Sequence, residues 1–174
     1  MANQFSSSDI VKYAVQIEKN GRDFYDQAAK SVKSDKAKKV LEFLSNEEQQ
    51  HIAAFEEILR QIPGNEPKER YPGEYADYML ALIEESLFTK SKQGYDSAKT
   101  IRNDKQALEL AVGFEKDSIL FYYEMKRFVW EGLHGNIDKL IAEEQDHLKK
   151  LSDLLKGFNK FGVGNQSDPN RRAW

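Results

Sequence analysis

Apolar residues recur every three or four positions along four long segments of the chain, which is the spacing that places them on one face of an α-helix. The predicted helices cover residues 8–30, 35–62, 104–133 and 136–158. Serine or asparagine stands at the start of three of them, and Pro63-Gly64 and Gly135 follow two of their ends. The pattern therefore predicts an all-α fold.

The connections between these segments predict how the helices are arranged. Short links join the first helix to the second and the third to the fourth, so each pair is expected to form an antiparallel hairpin. About forty residues, Pro63 to Asn103, separate the two hairpins, and residues 74–88 within them have the pattern of an extra amphipathic helix. We expect a bundle domain over residues 1–160 and a polar tail over residues 161–174.

The two predicted hairpins resemble each other in sequence. Residues 14–19 (AVQIEK) match residues 111–116 (AVGFEK), and residues 47–51 (EEQQH) match residues 143–147 (EEQDH). The repeat predicts two similar halves related by a pseudo-two-fold axis. Such an axis brings equivalent residues face to face in the centre of a bundle.

Each long helix carries a glutamate within its apolar stripe, and two helices add a histidine one turn later. Burying four carboxylates together is very costly unless cations neutralise them, and two divalent ions would balance their charge. Glutamate and histidine three residues apart project from the same side of a helix and can bind one ion. The predicted metal ligands are Glu18, Glu48, His51, Glu115, Glu144 and His147.

Oxygen and nitrogen ligands of this kind suit iron or manganese, with zinc as a further possibility. Tyr25 and Tyr122 stand two turns after Glu18 and Glu115, and their phenols are expected to hydrogen-bond a ligand carboxylate. Glu47 and Glu143 remain open as surface charges or as groups that support the ligands. A metal-free structural bundle also remains open, because a single core-facing glutamate is usually an edge residue.

Composition excludes several other functions. The chain has 174 residues, a net charge of −3 and a pI near 5.7, so it lacks the basic surface that nucleic-acid binding requires. It has no Cys, which excludes thiol catalysis and thiolate metal sites within this sequence. No apolar run is long enough to span a membrane and the first residues do not form a secretory signal, so we expect a cytoplasmic protein.

At these six positions the sequence resembles the ferritin-like di-iron superfamily, and its rubrerythrin-type members in particular, over roughly residues 8–158. The resemblance implies a ferritin-like four-helix bundle of two helical hairpins with a long crossover. It also implies that the six residues bind two iron ions. The implied activity is that of an oxidoreductase that reduces peroxide or dioxygen, or that oxidises Fe(II).

Three features depart from the relatives. Rubrerythrins usually carry a rubredoxin domain with four Cys, so the absence of Cys here implies an external electron donor. Rubrerythrin has a further glutamate one turn along its third helix, where this chain has Asp117 and Ser118. Gln49 replaces the methionine with which bacterioferritins bind haem, so no haem is expected. A homodimer or larger homo-oligomer is expected, and an iron-binding or storage component with little turnover is the alternative function.

Overall fold

The computed structural model describes residues 6–63, 73–85 and 93–162, and these residues form helices, turns and short links without a strand. Four long helices form the bundle, and two shorter ones lie in the connection between the hairpins. The helices are α1 (Ser7–Ser31), α2 (Asp35–Gln61), α3 (Gly73–Glu85), α4 (Gln93–Ala98), α5 (Asp104–Met125) and α6 (His134–Gly162). The all-α fold and the helical bundle predicted from the sequence are confirmed.

Side chains at the helix starts fix where the helices begin. Ser6 caps α1, which begins one residue before the predicted start at residue 8: its hydroxyl accepts a hydrogen bond from the backbone N–H of Asp9, and the Asp9 carboxylate accepts one from the backbone N–H of Ser6. Ser34 caps α2 and Asn103 caps α5, as predicted. The carboxylate of Asp104 accepts hydrogen bonds from the backbone N–H groups of Lys33 and Ser34 at 2.8 and 2.7 Å. The first residue of α5 is thereby held against the loop of the first hairpin.

The apolar stripes of the four long helices meet in one core. Its largest fully buried side chains are Phe24, Tyr25, Phe55, Phe114, Phe121 and Tyr122. Helices α1 and α5 approach closely at Gly21, where a Cβ would lie 2.3 Å from Cζ of Phe114. The glycine therefore gives the Phe114 ring its space between the two helices.

The third predicted helix was too long, because α5 ends at Met125 and not at residue 133. The chain turns over residues 126–129 and forms a short 3-10 helix, Glu131–Leu133. This turn buries Phe128 and Val129, and side chains satisfy the backbone carbonyls that it frees. The hydroxyl of Ser7 donates to the carbonyl of Phe128, and Nε2 of His134 lies 2.8 Å from the carbonyl of Val129.

The crossover contains the predicted extra helix, observed as Gly73–Glu85, and a second short helix that was not predicted. The end of the predicted segment, residues 86–88, lies outside the described residues. The second helix, α4, packs on the outer side of α1, where a Cβ at Gly94 would lie 1.8 Å from the backbone oxygen of Asn20. It covers Asn20, which is 1% exposed, so α1 is buried on two sides.

Helix α6 ends at Gly162, four residues beyond its predicted end, and the remainder of the predicted tail lies outside the described residues. Among the helices that the structure describes, none combines the length and the apolar character needed to cross a membrane.

Candidate metal centre

Four carboxylates are completely buried in the middle of the bundle, one from each long helix. Glu18 of α1, Glu48 of α2, Glu115 of α5 and Glu144 of α6 are each 0% exposed. Two imidazoles accompany them, because His51 and His147 follow their glutamates by one turn on α2 and α6, and they are 2% and 1% exposed. The structure therefore brings together all six residues that the sequence predicted as metal ligands.

The six side chains form two overlapping groups of potential ligand atoms. One group comprises Glu18, Glu48, His51 and Glu144, and the other comprises Glu48, Glu115, Glu144 and His147. Within each group the atoms lie within 4.8 Å of one another. Glu48 and Glu144 belong to both groups, so the glutamates on the histidine-bearing helices are the ones shared. Glu18 and Glu115 each complete one group.

The Nδ1 atoms of both imidazoles are directed at the buried carboxylates. Nδ1 of His51 lies 2.9 Å from an oxygen of Glu144 and 3.6 Å from oxygens of Glu18 and Glu48. Nδ1 of His147 lies 3.1 Å from the other oxygen of Glu144. The two rings stack with centroids 5.6 Å apart and planes inclined by 24°. Both rings thus present the same nitrogen to the same buried space.

The opposite nitrogen of each ring faces an acidic residue of the other hairpin. Nε2 of His51 lies 3.2 Å from Glu143, and Nε2 of His147 lies 3.8 Å from Glu47. These were the two residues whose role the sequence left open. A carboxylate on the far nitrogen of an imidazole fixes the ring and its tautomer, and this arrangement recurs behind metal-binding histidines. At 3.2 Å the contact favours a supporting role for Glu143, whereas Glu47 at 3.8 Å lies beyond hydrogen-bond distance.

Two buried tyrosines hydrogen-bond, across the bundle, the two glutamates that each belong to one group of donor atoms, Glu18 and Glu115. The hydroxyl of Tyr25 on α1 donates to Glu115 on α5 at 2.5 Å, and the hydroxyl of Tyr122 on α5 donates to Glu18 on α1. Each tyrosine therefore reaches the glutamate of the opposite helix and not the one on its own helix. The two reciprocal contacts are those that the pseudo-two-fold relation predicted from the sequence repeat would give.

Burial and mutual repulsion disturb the ionisation of the whole cluster. Burial raises the pKa of Glu48 and of Glu115 well above the usual value, and the charges of neighbouring carboxylates raise both further. Burial also raises the pKa of Glu18. Burial opposes the charged forms of Glu144 and His51 too, but their hydrogen bonds with the other site residues prevail. The pKa of Glu144 is thus lowered, and that of His51 is raised.

The donor atoms fit divalent cations better than they fit one another. Four buried carboxylate oxygens have no hydrogen-bond partner in the described part of the chain: Glu18 Oε2, Glu48 Oε1 and Oε2, and Glu115 Oε2. A fifth, Glu144 Oε1, has His51 Nδ1 at 2.9 Å as a close donor. Unpaired buried carboxylate oxygens are costly, whereas oxygen atoms of this kind bind hard and borderline cations well. The residues present therefore fit the two metal ions that a ferritin-like bundle holds at this position.

Comparison with known families agrees with the fold and the site. The family model described as Rubrerythrin matches residues 9–155, which include all six clustered residues and both tyrosines. The chain therefore belongs to the rubrerythrin family, a ferritin-like di-iron family. Neither curated proteins nor solved structures gave a match to this chain.

Proposed function

We propose that the chain binds two iron ions in the bundle core and works as an oxidoreductase that reduces peroxide or dioxygen, or oxidises Fe(II). The observation that carries the proposal is the set of four fully buried carboxylates with unpaired oxygens, flanked by two imidazoles. Membership of a di-iron family supports iron over the other divalent cations. Manganese and zinc remain the competing occupants, because the same ligand types accept them.

The proposed ligand assignment follows from the two groups of donor atoms. Glu18 and His51 would hold one ion, Glu115 and His147 would hold the other, and Glu48 and Glu144 would contribute to both. When bound, an iron pair supplies two electrons to one oxidant, which avoids the release of one-electron radicals. The chain itself supplies a buried shell and positions the ligands through Tyr25 and Tyr122.

Anaerobic loading followed by oxidation tests this function. The apoprotein is titrated with Fe(II) without oxygen, the bound iron is counted, and peroxide is then added while remaining Fe(II) is measured. We expect two iron ions per chain and one peroxide consumed for every two Fe(II) oxidised, since peroxide takes up two electrons and two protons to become water. Iron binding at this stoichiometry without rapid oxidation would reject the enzyme and leave a binding protein.

The double variant His51→Ala/His147→Ala is the control for the site. It removes both nitrogen ligands but no carboxylate, and we expect a folded bundle that no longer retains two metal ions. If the double variant still holds two ions per chain, the ligand assignment is wrong. Manganese and zinc titrations of the wild-type protein show which metal it prefers.

We also propose that the chain assembles into a homodimer or larger homo-oligomer and receives electrons from an external donor. Sedimentation of the metal-loaded protein tests the assembly. A large closed shell would support iron storage as the function, whereas a dimer would support the enzyme.

A further inference from the structure

One buried hydroxyl near the centre has no role in the arrangement described so far. Ser118 lies on α5 one turn after Glu115 and one turn before Tyr122, on the buried side of the helix. Its side chain is 0% exposed, and its Oγ has no hydrogen-bond partner among the residues that the structure describes. An unpaired buried hydroxyl is costly, so it requires an explanation.

The internal repeat shows that this hydroxyl breaks the symmetry of the centre. Gly21 is the repeat counterpart of Ser118, because each stands three residues after the buried glutamate of its helix. Beside Gly21 the space is taken by the ring of Phe114, which would lie 2.3 Å from a Cβ at that position. The same ring packs edge-on against Tyr25 with centroids 5.7 Å apart. An aromatic ring therefore closes the Gly21 side.

The Ser118 side has a different composition. Ile17 takes the repeat position of Phe114, so the repeat has a serine and an aliphatic residue at the positions that correspond to the glycine and the aromatic ring. Both Ile17 and Ser118 are buried. The two sides of the centre thus differ in one respect that matters for a ligand, because Ser118 carries an unpartnered hydroxyl where Gly21 has no side chain.

We propose that Ser118 Oγ donates a hydrogen bond to a small anionic ligand, of the size of azide or a peroxide anion, that binds at the metal centre from the α5 side. A serine hydroxyl rotates to suit its acceptor, and hydrogen bonds to charged acceptors are stronger than those to neutral ones. The Phe114 ring leaves no equivalent donor on the other side. This inference rests on the proposed function, because the ligand requires bound metal.

Azide binding to the iron-loaded, oxidised protein tests the inference, with metal content measured first in every sample. The affinity is read from the charge-transfer absorbance that azide gives with ferric iron. We expect Ser118→Ala to hold the same iron and to bind azide about tenfold more weakly, the loss of one charge-assisted hydrogen bond. The matched control is Ser45→Ala, which removes another buried serine hydroxyl, one that donates to Asp26 at 2.5 Å.

Thermal unfolding of the apoproteins gives a readout that does not depend on metal. Because Ser118 Oγ has no partner in the described chain, Ser118→Ala should melt at the same or a higher temperature than the wild type. Ser45→Ala should melt lower, because it leaves Asp26 without its donor, and should leave azide affinity unchanged. A lower melting temperature for Ser118→Ala would assign Ser118 a structural hydrogen bond and overturn the inference.

The remaining outcomes separate this inference from the proposed function. Equal azide affinity in the wild type and Ser118→Ala, with two iron ions in each, overturns the inference and leaves the metal centre standing. Iron-loaded wild-type protein that binds no azide also overturns the inference and leaves the metal centre standing. Wild-type protein that binds no metal overturns both.

Discussion

Tyr25 on α1 donates a hydrogen bond to Glu115 on α5 at 2.5 Å, so a phenol of one hairpin holds a carboxylate of the other. Tyr122 and Glu18 make the same contact in the reverse direction. Both tyrosines are fully buried, and Tyr25 lowers the pKa of Glu115 against the larger effect of burial. The pair of contacts joins the hairpins through the same carboxylates that the proposed metal ions require.

Removing the Tyr25 hydroxyl should therefore loosen one half of the centre. We expect Tyr25→Phe to lower metal affinity by about 10- to 100-fold, the usual effect of losing a group that orients a ligand. It should also destabilise the apoprotein by about 1–3 kcal/mol, because Glu115 loses its donor while remaining buried. Chelator competition and thermal unfolding measure the two effects. Tyr123→Phe is the control, since Tyr123 is 49% exposed, and equal effects in both variants would contradict the prediction.

The sharing of Glu48 and Glu144 by both groups of donor atoms predicts an unequal response among the four glutamates. Glu48→Gln or Glu144→Gln should weaken binding of both ions, whereas Glu18→Gln or Glu115→Gln should weaken binding of one. Metal counting at increasing chelator concentration distinguishes these patterns. Retention of one tightly bound ion in Glu48→Gln and Glu144→Gln would show that the shared assignment is wrong.

The sequence was sufficient to predict which residues meet, because helical spacing places each of the six within an apolar stripe and the repeat aligns the two hairpins. It was not sufficient to predict which carboxylates are shared. That depends on the axial offset between helices, which is set by packing such as that of Phe114 against Gly21. The apolar periodicity also continued past Met125 and so predicted too long a helix. Phe128 and Val129 are buried, but they lie in the turn that follows α5 and not in the helix itself.

The short helix α4 shows a second limit of sequence reasoning. With six residues it is too short to display a helical period, and it is ordered by its packing on α1 beside Asn20. The burial of Asn20 likewise has no signal in the apolar pattern. Both features depend on the crossover, whose path is set by tertiary contacts more than by local preference.

Glu143 is expected to support metal binding through His51, whose Nε2 lies 3.2 Å away. We expect Glu143→Ala to lower metal affinity by about tenfold, because the imidazole loses the group that orients it. Asp146→Ala is the matched control, since it removes a charge from the same helix at a residue that pairs with Lys150. If both variants lose the same affinity in chelator competition, Glu143 acts only through its charge.

The pKa shifts predict that the apoprotein loses stability as pH rises and that the stabilisation by bound metal grows. The pKa values of Glu48 and Glu115 are raised in the folded protein. The stability that these two groups contribute is therefore present below the ordinary pKa of 4.5 and is lost as pH rises through the raised values. The raised pKa of His51 likewise contributes stability that is lost as pH rises above the ordinary value of 6.5. The lowered pKa of Glu144 contributes stability that is lost as pH falls below 4.5. Above pH 4.5 the apoprotein should therefore lose stability as pH rises.

The expected slope is about 1.4 kcal/mol per pH unit for each extra proton that the folded state holds. Metal ions replace those protons, so the stability gained by loading should grow with pH. Melting temperatures of apo and loaded protein between about pH 5.5 and about pH 8 measure both trends. Glu48→Gln should flatten the curve of the apoprotein. An apoprotein that becomes more stable over this range would contradict the assigned shifts.

Gly21 should be irreplaceable for packing although it lies in the middle of a helix. Alanine would favour the helix by about 1 kcal/mol, but its Cβ would lie 2.3 Å from the ring of Phe114, which is 1% exposed and enclosed by the core. Overpacking of this kind costs about 1–3 kcal/mol, so we expect Gly21→Ala to lower the free energy of unfolding. Gly157→Ala on α6 is the control, because nothing lies within 4 Å of a Cβ there and the helix preference should raise stability. Denaturant unfolding of both apoproteins measures the difference, and a stabilised Gly21→Ala would mean that α1 and α5 are farther apart than described.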